Sequence, residues 1–123
     1  MMESNYYLKF ENKFRGNREQ IIENLSIYEP LINLTVQNNT NNKCIDVGCG
    51  RGEWLEKMQT YSNDCIGIEC DKSMVDFCRK LKLNVIDSDA ISAFKNISTN
   101  SISVITIFHL IEHLNTTYLN DLL

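Results

Sequence analysis

The sequence predicts an α/β fold built on a parallel sheet, and three features carry that prediction. A short β-favouring run, Cys44-Ile45-Asp46-Val47, enters glycines spaced by two, Gly48, Gly50 and Gly52, and a helical pattern with apolar Trp54, Leu55 and Met58 follows. A second strand, Ile66-Gly67-Ile68-Glu69, ends in a carboxylate 21 residues after Gly48. Further on, helical and β-type stretches alternate up to Ile102–Phe108, which is nearly all apolar and β-branched, as expected of a parallel strand covered on both faces.

Taken in order, residues 1 to 13 alternate aromatic and polar without a period. Asn17 with Gln20 three residues on resembles a capping box, and Ile21, Ile22, Leu25 and Tyr28 then form an apolar face, so a helix is expected from about 18 to 28. Pro30 can open a further short helix through Leu31, Ile32 and Leu34, and Asn38 to Asn42 is a polar loop into the first strand. After the second strand, Cys65 to Glu69, Ser73 with Asp76 is the expected cap of a helix whose stripe Met74, Phe77, Cys78 and Leu81 faces the core. Leu83 to Asp87 is a short third strand, and Asp89 is positioned to cap a helix over Ala90 to Phe94. Right-handed crossovers imply the sheet order 3-2-1-4, with a helical segment over residues 1–42 and an α/β domain over 43–123. Ligands of such a sheet lie at the carboxyl ends of the strands, so Gly48, Glu69, Asp89 and His109 should converge on one crevice.

Composition narrows the classes. A net charge of −4 offers no general attraction to nucleic acid or to an acidic membrane. No apolar run reaches the roughly 18 residues needed to span a bilayer, and the first residues lack a charged n-region and an apolar h-region, so a cytoplasmic location is expected. The five cysteines, Cys44, Cys49, Cys65, Cys70 and Cys78, contain no C-x-x-C pair and read as buried thiols, with no metal site assigned.

Glycines at 48, 50 and 52 let the backbone take positive φ and let a ligand approach where a Cβ would block it, and a carboxylate at the tip of the second strand can take both hydroxyls of a ribose. Dinucleotide enzymes usually show G-x-G-x-x-G, whereas this loop is G-x-G-x-G preceded by Asp46. The stretch resembles motif I of the S-adenosylmethionine-dependent methyltransferases with a Rossmann-like fold. Phe14-Arg15-Gly16-Asn17 and Asp46-Val47-Gly48-Cys49-Gly50-Arg51-Gly52-Glu53-Trp54 resemble more closely a bacterial subgroup associated with O-antigen and other surface-polysaccharide clusters.

That resemblance implies S-adenosylmethionine as cofactor and S-adenosylhomocysteine as product, with Asp46, Gly48, Gly50, Gly52 and Glu69 at the site. It implies that Arg15 pairs with the methionine carboxylate, although an arginine before a helix is also an ordinary surface residue. It places Asp89 and Ala90 against the adenine, a role for Asp89 that is compatible with capping. Methyl transfer is an in-line displacement served mainly by alignment. If the acceptor is a sugar hydroxyl, His113 is the candidate proton acceptor; if it is a phosphate, His113 would orient or neutralise it, and a purely structural role for His113 and Glu112 is the alternative. His109 would line the cofactor pocket. A truncated, inactive cofactor-binding fragment and a nicotinamide-dependent oxidoreductase are the competing functions. Three further strands and the acceptor-binding segments of a complete domain are not among these 123 residues, so weak or no turnover is expected, and the fourth strand should form an edge able to pair two chains as a homodimer.

Overall fold

A computed structural model of the chain describes residues 17–38, 43–98, 100–108 and 116–123. Two helices come first, α1 (Arg18–Asn24) and α2 (Glu29–Asn38), joined by a 3-10 turn at Leu25–Tyr28. Strands and helices then alternate: β1 (Cys44–Val47), α3 (Glu53–Met58), β2 (Cys65–Glu69), α4 (Lys72–Lys80), β3 (Val85–Asp87), α5 (Ala90–Phe94), β4 (Val104–Ile107) and α6 (Thr116–Leu122). All strand pairs are parallel, in the order β3-β2-β1-β4, as the crossover rule requires.

The sheet separates two apolar layers because successive residues of a strand face opposite ways. On one side Cys44, Cys65 and Val85 pack with Trp54, Leu55 and Met58 of α3, Val75 and Cys78 of α4, and Ile32 and Val36 of α2. On the other, Ile45, Val47 and Ile68 pack with Ala90 and Ala93 of α5. β1 is buried along its whole length, which anchors the start of the loop that follows it.

Several boundaries differ from the sequence expectation. The helix expected over 18–28 ends at Asn24 and tightens into the 3-10 turn, because Pro30 removes an N–H and its ring crowds the carbonyl one turn back. Asn17 does cap α1, its Oδ1 accepting from the Gln20 N–H at 2.8 Å. The cap of α4 is Asp71 rather than Ser73: the Asp71 carboxylate accepts from the N–H groups of Ser73 and Met74 at 3.0 and 3.3 Å and from the Ser73 hydroxyl at 2.8 Å. A carboxylate takes several donors at once, so it outcompetes the hydroxyl. Leu81, expected in the core stripe, is exposed because it stands at the C-cap, where the helix turns away. The strand expected at Leu83–Asp87 begins only at Val85. The fourth strand takes the edge position that the expected order gives it, pairing with β1, but it is not covered on both faces as its composition led one to expect: Ile105 is 50% exposed.

Candidate functional site

The loop after β1 is held in an unusual backbone shape. Gly48, Gly50 and Gly52 have φ of 69°, 58° and 80°, the left-handed region that glycine tolerates. At Gly52 space is also short, since a Cβ would stand 2.5 Å from Leu83 Cδ1 and 3.0 Å from Cys78 Sγ. The N–H groups of Gly48 and Cys49 donate to the Ile68 carbonyl at 2.8 and 3.2 Å, tying the loop to the end of β2.

Glu69, at that end, is engaged with the loop itself. Its Oε1 accepts from the Gly50 N–H at 2.8 Å, and its Oε2 accepts from the N–H groups of Cys70 and Asp71 at 3.0 and 2.9 Å. The carboxylate expected to hold a ribose is therefore also the clamp that shapes the glycine loop. A carboxylate offers about four lone-pair positions, so capacity for a further donor is left.

Asp46 lies beneath the loop, 3% exposed, with Oδ1 accepting from Thr106 Oγ1 at 2.7 Å. Burial pushes its carboxyl up to about 7; the Thr106 hydrogen bond opposes that shift, and the negative charges of Glu53 and Glu69 add to it. Glu53, the first residue of α3, is buried as well and is neutralised by buried Arg51, whose Nε donates to Glu53 Oε1 at 2.9 Å and whose Nη2 lies 2.8 Å from the same oxygen. Cys49 is kept above its ordinary thiol range by contact with the Cys78 thiol and by burial, which leaves it protonated and unreactive.

These groups border a pocket lined by Leu25, Asp46, Gly48, Cys49, Gly50, Glu53, Trp54 and Phe108. Its aromatic wall is braced by Tyr28, whose ring centroid lies 6.1 Å from that of Trp54 and 5.2 Å from that of Phe108, with Trp54 and Phe108 5.3 Å apart. The buried Trp54 Nε1 has no hydrogen-bond partner among the described residues. Two buried carboxylates beside aromatic faces, an orphan indole donor and a loop that excludes side chains form a site suited to a cationic, partly apolar ligand.

Asp46, Gly48 and Gly50 thus line one pocket, and Glu69 reaches it through Gly50. Asp89 caps α5, accepting from the Ser92 N–H at 2.9 Å and the Ser92 hydroxyl at 2.7 Å, with Ala90 buried next to it. Arg15, His109 and His113, with Glu112, lie outside the described residues. Sequence reasoning passed over Arg18, whose Nη1 donates to the Arg51 carbonyl at 2.6 Å and whose guanidinium sits 5.6 Å over the Phe77 ring, so that α1 steadies the loop. It also passed over Glu53 and Thr106. The R-G-E-W run contained the first signal, an Arg and a Glu two apart, but that spacing does not reveal burial. Four of the five cysteines are buried; Cys70 is exposed. No helix among the described residues is long and apolar enough to cross a membrane.

Comparison with known proteins adds a family. A family model described as a methyltransferase domain matches residues 16–122. A SAM-dependent methyltransferase from Archaeoglobus fulgidus is 36% identical with a TM-score of 0.82, over 95% of this chain and 50% of that one. The sugar N-methyltransferase KedS8 from Streptoalloteichus sp ATCC 53650 is 16% identical with a TM-score of 0.62, over 95% and 45%. The plantazolicin methyltransferase BpumL, solved with SAH, is 23% identical with a TM-score of 0.52, over 80% and 38%. The latter two are likenesses of fold alone. The chain spans half or less of the length of each of these proteins. It matches none of the curated proteins compared with it.

Proposed function

Because the chain belongs to the methyltransferase-domain family, we propose that its pocket holds S-adenosylmethionine and that the protein acts as an S-adenosylmethionine-dependent methyltransferase. The observation that carries this reading is the convergence of buried Asp46, the Glu69-clamped glycine loop and the Trp54–Phe108 wall on one cavity. When bound, the cofactor supplies a methyl group already activated on a sulfonium, so the protein need only bind, align and exclude water.

The residues fit that group. Glu69 takes a ribose hydroxyl on the acceptor position left by its three backbone donors, and Asp46 faces the cationic methionyl part. Gly48 and Gly50 line the pocket without side chains, and Gly52 lets the loop pack against Leu83 and Cys78. Exposed Asp89 and buried Ala90, at the head of α5 after β3, serve the adenine end. We assign His109, which follows the pocket residue Phe108 in the chain, to the cofactor pocket, Arg15 to the methionine carboxylate, and the N-terminal segment to the cover of the site. His113 accepts the proton of a hydroxyl acceptor. The D-V-G-C-G-R-G-E-W run supports a sugar or phosphate acceptor in surface-glycan synthesis.

A thermal-shift series with S-adenosylmethionine, S-adenosylhomocysteine and NAD tests the cofactor. A ligand at 100 times its Kd raises stability by about 2.7 kcal/mol, so both sulfur nucleosides should shift the transition and NAD should not. A shift with NAD alone would favour an oxidoreductase. His113→Gln, assayed in the longest available form of the protein, should lower turnover on a hydroxyl acceptor without altering cofactor affinity.

A further inference from the structure

Thr106 is the polar residue in an otherwise apolar strand, and its place is set by register: it stands opposite Asp46 across the β1–β4 pair. Its hydroxyl donates to Asp46 Oδ1 at 2.7 Å. Asp46 is 3% exposed and borders the pocket, so no bulk water solvates that carboxylate in place of the hydroxyl. Resting on the cofactor reading above, we propose that Thr106 is a positioning residue that holds Asp46 ionised at the pocket wall and thereby sets the pH above which a ligand bearing an ammonium group is retained.

The charged groups facing Asp46 make such support necessary. Glu53 from α3 and Glu69 from the end of β2 both disfavour a further negative charge, and Arg51 is committed to Glu53. Burial pushes in the same direction, and the Thr106 hydroxyl is the neighbour that opposes it. With Asp46 balanced at about 7, small changes in its hydrogen bonding move it between a neutral acid and an anion within the physiological range. The sign follows: below that value the site is neutral and does not retain an ammonium, and above it the carboxylate does. Affinity for an amino-acid-bearing nucleoside should climb as pH rises through about 7 and level off beyond.

The test is calorimetric titration between about pH 5.5 and 8.5 with two ligands, S-adenosylhomocysteine, which carries the ammonium, and 5′-methylthioadenosine, which does not. In the wild type the first should show the rise and the second should be flat. Thr106→Val should move the midpoint upward by up to about one pKa unit and weaken S-adenosylhomocysteine about two- to fivefold at pH 7, while methylthioadenosine binding stays unchanged. Thr106→Ser should restore the wild-type profile. A merely structural role would weaken both ligands alike at every pH. Asp46→Asn, which does not depend on the valine variant folding, should abolish the pH dependence. A flat wild-type profile, a Thr106→Val profile that matches the wild type, or pH dependence surviving in Asp46→Asn overturns the inference and leaves the cofactor reading standing. Failure of the wild type to bind S-adenosylhomocysteine at any pH overturns the cofactor reading, and this inference with it.

Discussion

The two sides of β1 are built to different standards. Toward β2 the chain is closed: Cys65, Ile68 and Val75 are buried, Gly67 leaves no room for a Cβ beside Cys49 Sγ at 2.6 Å, and the loop is tied down by Ile68 and Glu69. Toward β4 it is open, with Ile105 50% exposed, and Ile27, Leu31 and Leu34 of the N-terminal helical region 73%, 66% and 58% exposed. The β2 side that holds the glycine loop is thus densely packed, whereas the β4 side, which gives Phe108 to the pocket and Thr106 to Asp46, carries the exposed apolar surface.

The sharpest contrast is a pair of isoleucines that face each other in register, Ile45 at 0% exposure and Ile105 at 50%. Ile45→Ala should cost about 2–5 kcal/mol and Ile105→Ala well under half as much, as measured by urea denaturation. Equal losses would break the comparison.

Next in size is the strain of burying Asp46. Its carboxyl rises from 3.8 to about 7 on folding, so its contribution to stability is greatest below about 4 and is lost as pH rises through 7. Asp46→Asn should therefore stabilise the ligand-free protein at pH 8 by up to a few kcal/mol and make no difference near pH 4, while weakening cofactor binding. A thermal melt of both proteins at the two pH values checks this.

Gly52→Ala must adopt a φ of 80° and press on Leu83 and Cys78, and should lose about 1–3 kcal/mol along with ligand binding. Glu69→Gln replaces one accepting oxygen with an amide NH2 that faces a backbone N–H, so it should weaken S-adenosylhomocysteine by about 1.5–3 kcal/mol in calorimetry and also cost about 1–3 kcal/mol of stability by loosening the clamp. Smallest of all, Leu31→Ser on the open side should change stability by less than about 0.5 kcal/mol. If two chains pair along the β4 edge, Ile105→Lys should abolish any concentration-dependent mass seen by light scattering, and an unchanged mass would exclude that edge.

Legibility in the sequence follows the same division. Cys44–Val47, Cys65–Glu69 and the strand order were readable because an apolar run ending in glycines, or in a carboxylate, has few alternative placements. Asp71 was missed as a cap because Ser73 with Asp76 fits the local pattern equally well and only the folded geometry shows which oxygen meets the free N–H groups. Glu53 and Thr106 were missed for a different reason. A glutamate opening a helix is ordinarily solvated, and a threonine in a strand is ordinarily there for its shape; both acquire meaning from partners two residues away in the loop or on a strand 60 residues distant. The clamp that Glu69, proposed as the ribose acceptor, makes on the loop depends likewise on a contact across 19 residues.

The central claim, that the loop after β1 and its neighbours on both sides form a site for an adenosyl group joined to an amino acid, is tested most directly by titrating the wild-type chain at pH 8 with S-adenosylhomocysteine and, separately, with NAD in a calorimeter. Saturable one-to-one binding of S-adenosylhomocysteine with no heat from NAD is the predicted result. NAD binding more tightly, or neither ligand binding to a folded chain, would contradict it.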